Sequence, residues 1–161
     1  MEIDTLLIRE VVHALKRQGL MLATAESCTG GWVAQMMTSV AGSSEWFERG
    51  FVAYTNLAKR EMLGVSTTTL SRYGAVSEQC ARAMAEGALT HSHAQVALAI
   101  TGIAGPSGGT PEKPVGTVCF AWAAKKRETQ SRKQVFTGDR EAVRRQAVAA
   151  ALQGLLNYLN P

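Results

Sequence analysis

The chain has 161 residues, of which 46% are hydrophobic and 19% are charged, and its net charge is +4. This length is enough to bury a substantial core, and the composition excludes an intrinsically disordered chain. No apolar run approaches the length of a membrane span, and the N-terminus lacks the basic start and apolar block of a signal peptide. We therefore expect one cytoplasmic domain over residues 1–161 that does not contact a membrane.

The positive charge does not indicate a nucleic-acid-binding protein. The basic residues are scattered, apart from a KKR run at 125–127 and a group formed by Arg140, Arg144 and Arg145. No basic groove with interleaved aromatic residues is evident, which argues against a nucleic-acid partner. The KKR run is typical of a solvated loop between strands. The arginine group suits a small anionic ligand better than a duplex.

The three cysteines, Cys28, Cys80 and Cys119, are odd in number and no two of them have metal-ligand spacing. Reduced thiols are therefore expected. No cluster of His, Asp, Glu and Cys has the spacing of a metal site, and we expect neither a metal nor a cofactor.

Hydrophobic spacing and capping residues predict alternating helices and strands. The helices are expected at about residues 4–18, ending at Gly19, at 30–39, from an N-cap at Asn56 to Met62, after Ser77, and after Asp139. The strands are expected up to about residue 25 and at 51–54, 96–100, 118–124 and 131–137. This alternation predicts an α/β fold, a three-layer sandwich with a mixed, mostly parallel sheet flanked by helices.

The segment AESCTGG at 25–31 places a carboxylate, a hydroxyl and a thiol where a strand turns into a helix. The first N–H groups of a helix lack partners and attract anions, and glycines allow a ligand to approach the backbone. We therefore expect Glu26, Thr29, Gly30 and Gly31 to bind substrate.

Lys59 is expected in the first turn of the helix capped by Asn56, where the helix dipole opposes its charge and lowers its pKa. Such a lysine suits the role of a neutral base, and no histidine is well placed for that role. A Ser–Lys arrangement is the simplest hypothesis, with Tyr54 relaying a proton or orienting the lysine. Ser27 and Ser44 are both candidates for the nucleophile.

Cys28 offers a rival nucleophile in a set with Glu26 and Lys59, like that of nitrilase-type amidases, although a buried packing role is favoured. Farther along, the loop TGIAGPSGG at 101–109 is typical of a cradle of backbone N–H groups for a phosphate or carbonyl. It places Thr101, Gly102 and Gly105 in the expected substrate site. It matches neither the P-loop nor the dinucleotide-binding motif.

Taken in order, these segments resemble the CinA C-terminal domain family, which includes the PncC-type nicotinamide-nucleotide amidases. The resemblance covers nearly the whole chain. The segments that carry it are AESCTGG at 25–31, AGSS at 41–44, AYTN at 53–56 with the AK pair at 58–59, GAVSE at 74–78, TGIAGP at 101–106, EKPVGT at 112–117 and GDR at 138–140. The departures are mild: Thr55 stands where serine is common, and Ser107 and Thr110 vary within the glycine-rich loop.

The resemblance implies hydrolysis of nicotinamide mononucleotide to nicotinate mononucleotide and ammonia, a step of NAD recycling, by a homo-oligomer that is expected to be a dimer. It implies catalytic or substrate-contacting roles for Ser27, Ser44, Tyr54, Lys59 and Thr101, and a contact of Arg140 with the 5′-phosphate. Backbone N–H groups near Gly30 and Gly31 or at Gly102 are expected to hold the oxyanion.

Two alternatives remain open from the sequence. A catalytically silent paralogue would act as a pyridine-nucleotide binding or sensor module. An amidase for another pyridine or nucleoside carboxamide would keep the chemistry and change the specificity.

Overall fold

A computed structural model of the chain describes residues 3–161. None of the helices in that range is long and apolar enough to cross a membrane. The helices and strands follow one another along the chain in an alternating order. They are α1 Thr5–Gln18, β1 Leu22–Glu26, α2 Trp32–Thr38, β2 Phe47–Val52, α3 Asn56–Leu63, α4 Thr67–Tyr73, α5 Glu78–Thr90, β3 Val96–Gly102, β4 Thr117–Ala124, β5 Arg127–Val135 and α6 Arg140–Leu159.

The five strands form one mixed sheet in the order β2-β1-β3-β4-β5. Strand β1 runs parallel to both β2 and β3, whereas β4 runs antiparallel to β3 and to β5. Four strands therefore point in one direction and β4 opposes them. The carboxyl ends of β1, β2 and β3 meet at one edge of the sheet, as expected for parallel neighbours.

Helices α1, α2 and α6 cover one face of the sheet, and α3, α4 and α5 cover the other. The alternation of side chains along β3 shows why the faces differ. Val96, Leu98 and Ile100 join the core beneath α1 and α6, while Ala97 and Ala99 face α5. Small residues let α5 lie close to the sheet. The predicted three-layer sandwich with a mixed sheet is confirmed.

Three helix ends are capped by the residues that the sequence predicted. Gly19 ends α1 in the left-handed conformation, with φ of 66°. The side chains of Ser77 and Asp139 accept hydrogen bonds from the first turns of α5 and α6. These residues satisfy backbone groups that a helix end would otherwise leave unpaired.

The predicted N-cap Asn56 is wrong by one residue. The N-cap of α3 is Thr55, whose Oγ1 accepts a hydrogen bond from Ala58 N–H at 3.0 Å. Thr and Asn both cap helices well, so their order alone did not decide the register. Lys59 is consequently the fourth residue of α3, slightly farther from the helix N-terminus than predicted.

Three further elements differ from the sequence prediction. Strand β5 spans Arg127–Val135 rather than 131–137, because this edge strand consists mostly of exposed polar residues and has no apolar run. Strand β2 begins at Phe47 rather than near residue 51, because it is a partly exposed edge strand without a continuous apolar run. Helix α4 was not predicted, since its sequence, TTTLSRY, has no apolar periodicity, and no residue in it is fully buried.

Gly87 sets the distance between α3 and α5. A Cβ at Gly87 would overlap the carbonyl group of Leu63, the last residue of α3. The missing side chain therefore lets the helix that carries Lys59 lie directly against α5.

We expect Gly87→Ala to lower the free energy of unfolding by roughly 1–3 kcal/mol, because overpacking against a backbone carbonyl outweighs the gain of about 1 kcal/mol from a helical alanine. Urea unfolding measures the change. Thr90→Ala, at an exposed position of the same helix, serves as the control and should stay within about 0.5 kcal/mol of the wild type. A Gly87→Ala variant as stable as the control would contradict the steric argument.

Candidate active site

A cavity of about 280 Å³ lies at the edge of the sheet where the carboxyl ends of β1, β2 and β3 meet. Its volume is close to the lower limit of about 300 Å³ for small-molecule sites. The residues that line it come from the ends of these strands and the turns after them, from α3, from the segment between α4 and α5, and from the start of α6. They are Ser27, Cys28, Tyr54, Asn56, Lys59, Ala75, Val76, Thr101, Gly102, Ile103, Ala104, Gly105, Ser107, Gly108 and Arg140.

A buried serine and lysine meet at the inner end of this cavity. Lys59 Nζ lies 3.1 Å from Ser27 Oγ and 2.9 Å from the carbonyl oxygen of Tyr54. Ser27 Oγ lies 3.2 Å from the same carbonyl oxygen. Lys59 is only 2% exposed, and Ser27 is 7% exposed. The fold thus joins a nucleophile candidate from the end of β1 to a base candidate from α3.

Burial lowers the pKa of Lys59 from its ordinary value of 10.5, because desolvation penalises the ammonium form. None of the ion pairs formed within residues 3–161 involves this lysine. In this structure the amine donates to Ser27 Oγ and to the Tyr54 carbonyl, and the Ser27 hydroxyl donates to the same carbonyl. A neutral amine also has a lone pair, which can accept the hydroxyl proton once the hydroxyl turns toward it. Burial, more than position in the helix, is the cause of the lowered pKa.

Tyr54 contributes to this site through its main chain. Its carbonyl oxygen lies beside both Ser27 Oγ and Lys59 Nζ. The residue is 54% exposed, and its phenol accepts a hydrogen bond from Arg140 Nη2 at 3.1 Å. The predicted contact with the lysine is present, but the phenol does not make it. The geometry gives the phenol no path for relaying a proton between Ser27 and Lys59.

Ser44 is not part of this site. It lies exposed in a short 3-10 helix, Ser43–Glu45, that precedes the start of β2. Strands β1 and β2 are parallel, with Leu22 paired to Phe47 and Glu26 paired to Val52. Ser44 is therefore at the opposite edge of the sheet, roughly 13 Å or more from Ser27 at about 3.3 Å per residue. Within this chain, the geometry rules out Ser44 as the partner of Lys59.

Glu26, Thr29, Gly30 and Gly31 shape the turn around Ser27 and do not line the cavity. The Glu26 carboxylate accepts hydrogen bonds from Thr29 Oγ1 at 2.6 Å and from the N–H groups of the first turn of α2, at 2.9 and 3.1 Å. Gly30 N–H donates to Ser27 O at 3.0 Å, and Gly31 is the N-cap of α2 with φ of 101°. None of these four residues lines the cavity, so their expected contacts with substrate stay a prediction.

Cys28 lines the cavity, but its thiol is a poor nucleophile. Burial raises its pKa to about 12, so the thiol stays protonated at neutral pH. With the Glu26 carboxylate turned toward α2, the alternative set of Glu26, Lys59 and Cys28 is not assembled.

The predicted cradle after β3 does line the cavity. Thr101 Oγ1 donates to the Ala75 carbonyl at 2.9 Å and so ties β3 to the 74–77 segment. Ile103 N–H donates to Thr117 O on the β4 side. Successive N–H groups along a strand point to opposite sides, so Gly102 N–H points to the β1 side, where β1 has already ended. This group is an oxyanion donor candidate.

The three arginines of the predicted anion site have three different environments. Arg140 lines the cavity, and its Nη1 donates to Gly105 O at 2.8 Å. Arg144 contacts the turn after Ser27 from the α6 side. Arg145 forms an exposed ion pair with Glu141. Of the three, Arg140 fits an anion site.

Some lining residues were not expected in the site. Asn56 was predicted only as a helix cap, and Val76 was given no role, yet both lie on the cavity wall. Ser107 and Gly108, which also line it, belong to the predicted cradle. The 74–78 and 101–106 segments were among those that carried the family resemblance. That resemblance was the signal in the sequence that could have placed Val76 and the nearby loop in the site. Among the described residues, no group of three or more His, Cys, Asp and Glu side chains could hold a metal ion.

Comparison with known proteins places this site in a family. The CinA C-terminal domain model matches residues 4–159. The nicotinamide-nucleotide amidohydrolase PncC of Escherichia coli strain K12 is 57% identical over 149 residues, which cover 92% of this chain and 90% of that protein. The protein of the same name from Pseudomonas putida is 51% identical over 154 residues, covering 96% and 95% of the two chains.

A solved structure gives the same result for the fold. The competence/damage inducible protein CihA of Agrobacterium tumefaciens superposes with a TM-score of 0.92 at 48% identity, covering 96% of this chain and 94% of that one. Both the sequence and the fold match over nearly their full length. The chain therefore belongs to the CinA C-terminal domain family.

Proposed function

We propose that this protein hydrolyses the carboxamide of nicotinamide mononucleotide to nicotinate mononucleotide and ammonia, with Ser27 as nucleophile and Lys59 as its base. The observation that carries the proposal is the buried pair of Ser27 Oγ and Lys59 Nζ, 3.1 Å apart in a cavity. The substrate class is supported by relatives with 51–57% identity that are named nicotinamide-nucleotide amidohydrolase.

In the first step, neutral Lys59 takes the proton of Ser27, and Oγ attacks the amide carbon. The carbonyl π electrons move to oxygen, and Gly102 N–H donates a hydrogen bond to the oxyanion, which stabilises the tetrahedral intermediate. Protonated Lys59 then gives its proton to the amide nitrogen, and ammonia leaves with the electrons of the C–N bond. Ser27 now carries the nicotinoyl group as an ester.

In the second step, water attacks the ester and Lys59 takes one of its protons. The ester bond breaks, Ser27 Oγ recovers that proton, and nicotinate mononucleotide leaves with the second water proton on its carboxyl group, which gives it to solvent and becomes the carboxylate. Lys59 thus acts as a base and then an acid in each half of the reaction. The cycle consumes one water and returns both side chains to their starting states.

The outer part of the cavity suits the anionic end of the substrate. Arg140 holds Gly105 O and the Tyr54 phenol, which are neutral acceptors at an accessible position. A phosphate would offer the guanidinium stronger, charge-assisted hydrogen bonds. In this proposal Arg140 exchanges the phenol for the 5′-phosphate.

Ammonia release tests the reaction and the specificity together. We expect release from nicotinamide mononucleotide and much less from nicotinamide riboside and nicotinamide, because the last two lack the phosphate that Arg140 binds. NAD should also react slowly, since its phosphate is esterified. Thermal stabilisation by the mononucleotide without ammonia release would contradict the amidase and favour a binding or sensor module.

Substitutions of hydroxyl and thiol groups separate the nucleophile candidates. We expect Ser27→Ala to lower kcat/KM by at least about 10³-fold, because the acyl-enzyme cannot form. Ser44→Ala lies at the other edge of the sheet and should retain kcat/KM within about twofold. Cys28→Ala removes a protonated packing thiol and should keep most of the activity. An inactive Ser44→Ala variant that folds normally would refute the assignment.

The pH dependence follows from the lowered pKa of Lys59. The base must be neutral, so kcat/KM should rise with pH through the pKa of folded Lys59 and reach a plateau below the ordinary lysine value. The plot of log kcat/KM against pH measures this midpoint. Lys59→Met should lose activity by about 10²–10⁴-fold, the usual contribution of a general base, and should show no such rise. A wild-type profile that is flat down to pH 5 would contradict a lysine base.

Stability should show the same titration in a measurement that needs no substrate. Between the folded pKa of Lys59 and its ordinary value, the unfolded chain binds more protons than the folded one, so wild-type stability rises with pH over that window. Lys59→Met lacks this contribution. The free energy of unfolding of the wild type minus that of Lys59→Met should therefore increase as pH rises through this window. Urea titrations of both proteins at several pH values measure this difference.

A further inference from the structure

Arg144 contacts the turn after Ser27, residues 28 and 29, from the face of the sheet opposite to the one that carries Lys59. It lies on α6, half-buried, and its Nε donates to Cys28 O at 3.0 Å. Its Nη2 lies 3.4 Å from Thr29 O, at the long end of hydrogen-bond geometry. One guanidinium thus holds the carbonyls of the two residues that follow Ser27.

The guanidinium is itself held in place. Its carbon lies 5.5 Å from the centroid of the Trp32 ring, at the start of α2, within the range of a cation–π contact. The planar fork of an arginine can donate to two neighbouring carbonyls while its face lies near an aromatic ring. A lysine has the charge but not this fixed geometry.

These contacts complete the anchoring of Ser27. Its own N–H donates to Ile100 O on β3 at 3.0 Å, and its carbonyl accepts a hydrogen bond from Gly30 N–H at 3.0 Å. Because a peptide group is planar, fixing the direction of the next carbonyl also fixes the rotation of that peptide unit. Strand β3 therefore holds the N–H of Ser27, and Arg144 holds the backbone that follows it. Lys59 contacts the side-chain Oγ from α3.

We propose that Arg144 is a positioning residue that holds the turn after Ser27 so that the serine hydroxyl stays aligned with Lys59. The proposal rests on the proposed nucleophilic role of Ser27. Arg144 is absent from the cavity wall, so it acts through the backbone of this turn rather than on the substrate.

The test compares Arg144→Met with Arg145→Met. The control removes a neighbouring arginine whose ion pair with Glu141 is exposed. We expect Arg144→Met to lower kcat for nicotinamide mononucleotide by tenfold or more with KM within about twofold, because misalignment by about 1 Å costs up to 10²-fold in rate. Arg145→Met should keep both constants, and Arg144→Lys should fall between Arg144→Met and the wild type.

The pH profile separates positioning from a change in the base. The midpoint of log kcat/KM should stay the same in Arg144→Met, since burial of Lys59 is unchanged. An Arg144→Met variant that is less stable but keeps its kcat below its unfolding temperature would overturn the proposal. So would a raised KM with an unchanged kcat, which would assign Arg144 to substrate binding.

A second readout keeps this proposal separate from the choice of substrate. The rate at which an aryl sulfonyl fluoride modifies Ser27, followed by mass spectrometry, reports hydroxyl reactivity without any nucleotide. We expect slower modification in Arg144→Met than in the wild type or Arg145→Met. Equal rates would overturn the positioning role even if the wild type is an amidase, and a difference in rates would stand even if another carboxamide is the substrate.

Discussion

The structure depends on a buried lysine amine that has no counter-charge among residues 3–161. Lys59 is almost fully excluded from solvent, and its nearest polar neighbours are a hydroxyl and a main-chain carbonyl. A carboxylate partner would favour the ammonium form and raise the pKa, whereas a neutral carbonyl holds the amine in place without adding a negative charge. Using the Tyr54 carbonyl as the partner therefore leaves burial as the dominant influence on the pKa.

The fold delivers this arrangement through closely packed backbone. Small residues between the sheet and α5 let that helix lie close, and Gly87 lets α3 contact α5 without a side chain between them. Thr55 and Gly64 fix the two ends of α3, so Lys59 projects from a short helix of defined register. The parallel pairing of β1 with β2 then brings the Tyr54 carbonyl and Ser27 to the same edge of the sheet.

The sequence was sufficient to predict the layers, several helix ends and a Ser–Lys arrangement, but it left Ser27 and Ser44 as equal candidates for the serine. Local residue patterns find the junctions between strands and helices, and polar residues there are good candidates for a site. They do not say which edge of the sheet a junction occupies, which is why Ser44 looked equivalent to Ser27. Nor do they reveal that the Glu26 carboxylate caps α2, or that Tyr54 contributes a carbonyl, because both depend on backbone direction in three dimensions.

Tyr54 contributes separate groups to the inner and outer ends of the cavity. Its carbonyl is fixed between the end of β2 and the start of α3, beside the serine and lysine. Its phenol lies at the rim with Arg140, mostly in solvent. An anion that draws Arg140 away from the phenol breaks one exposed hydrogen bond and leaves the buried carbonyl in place. In the proposed reaction, the rim can therefore adjust to the substrate while Ser27 and Lys59 stay aligned, as a preorganised site requires.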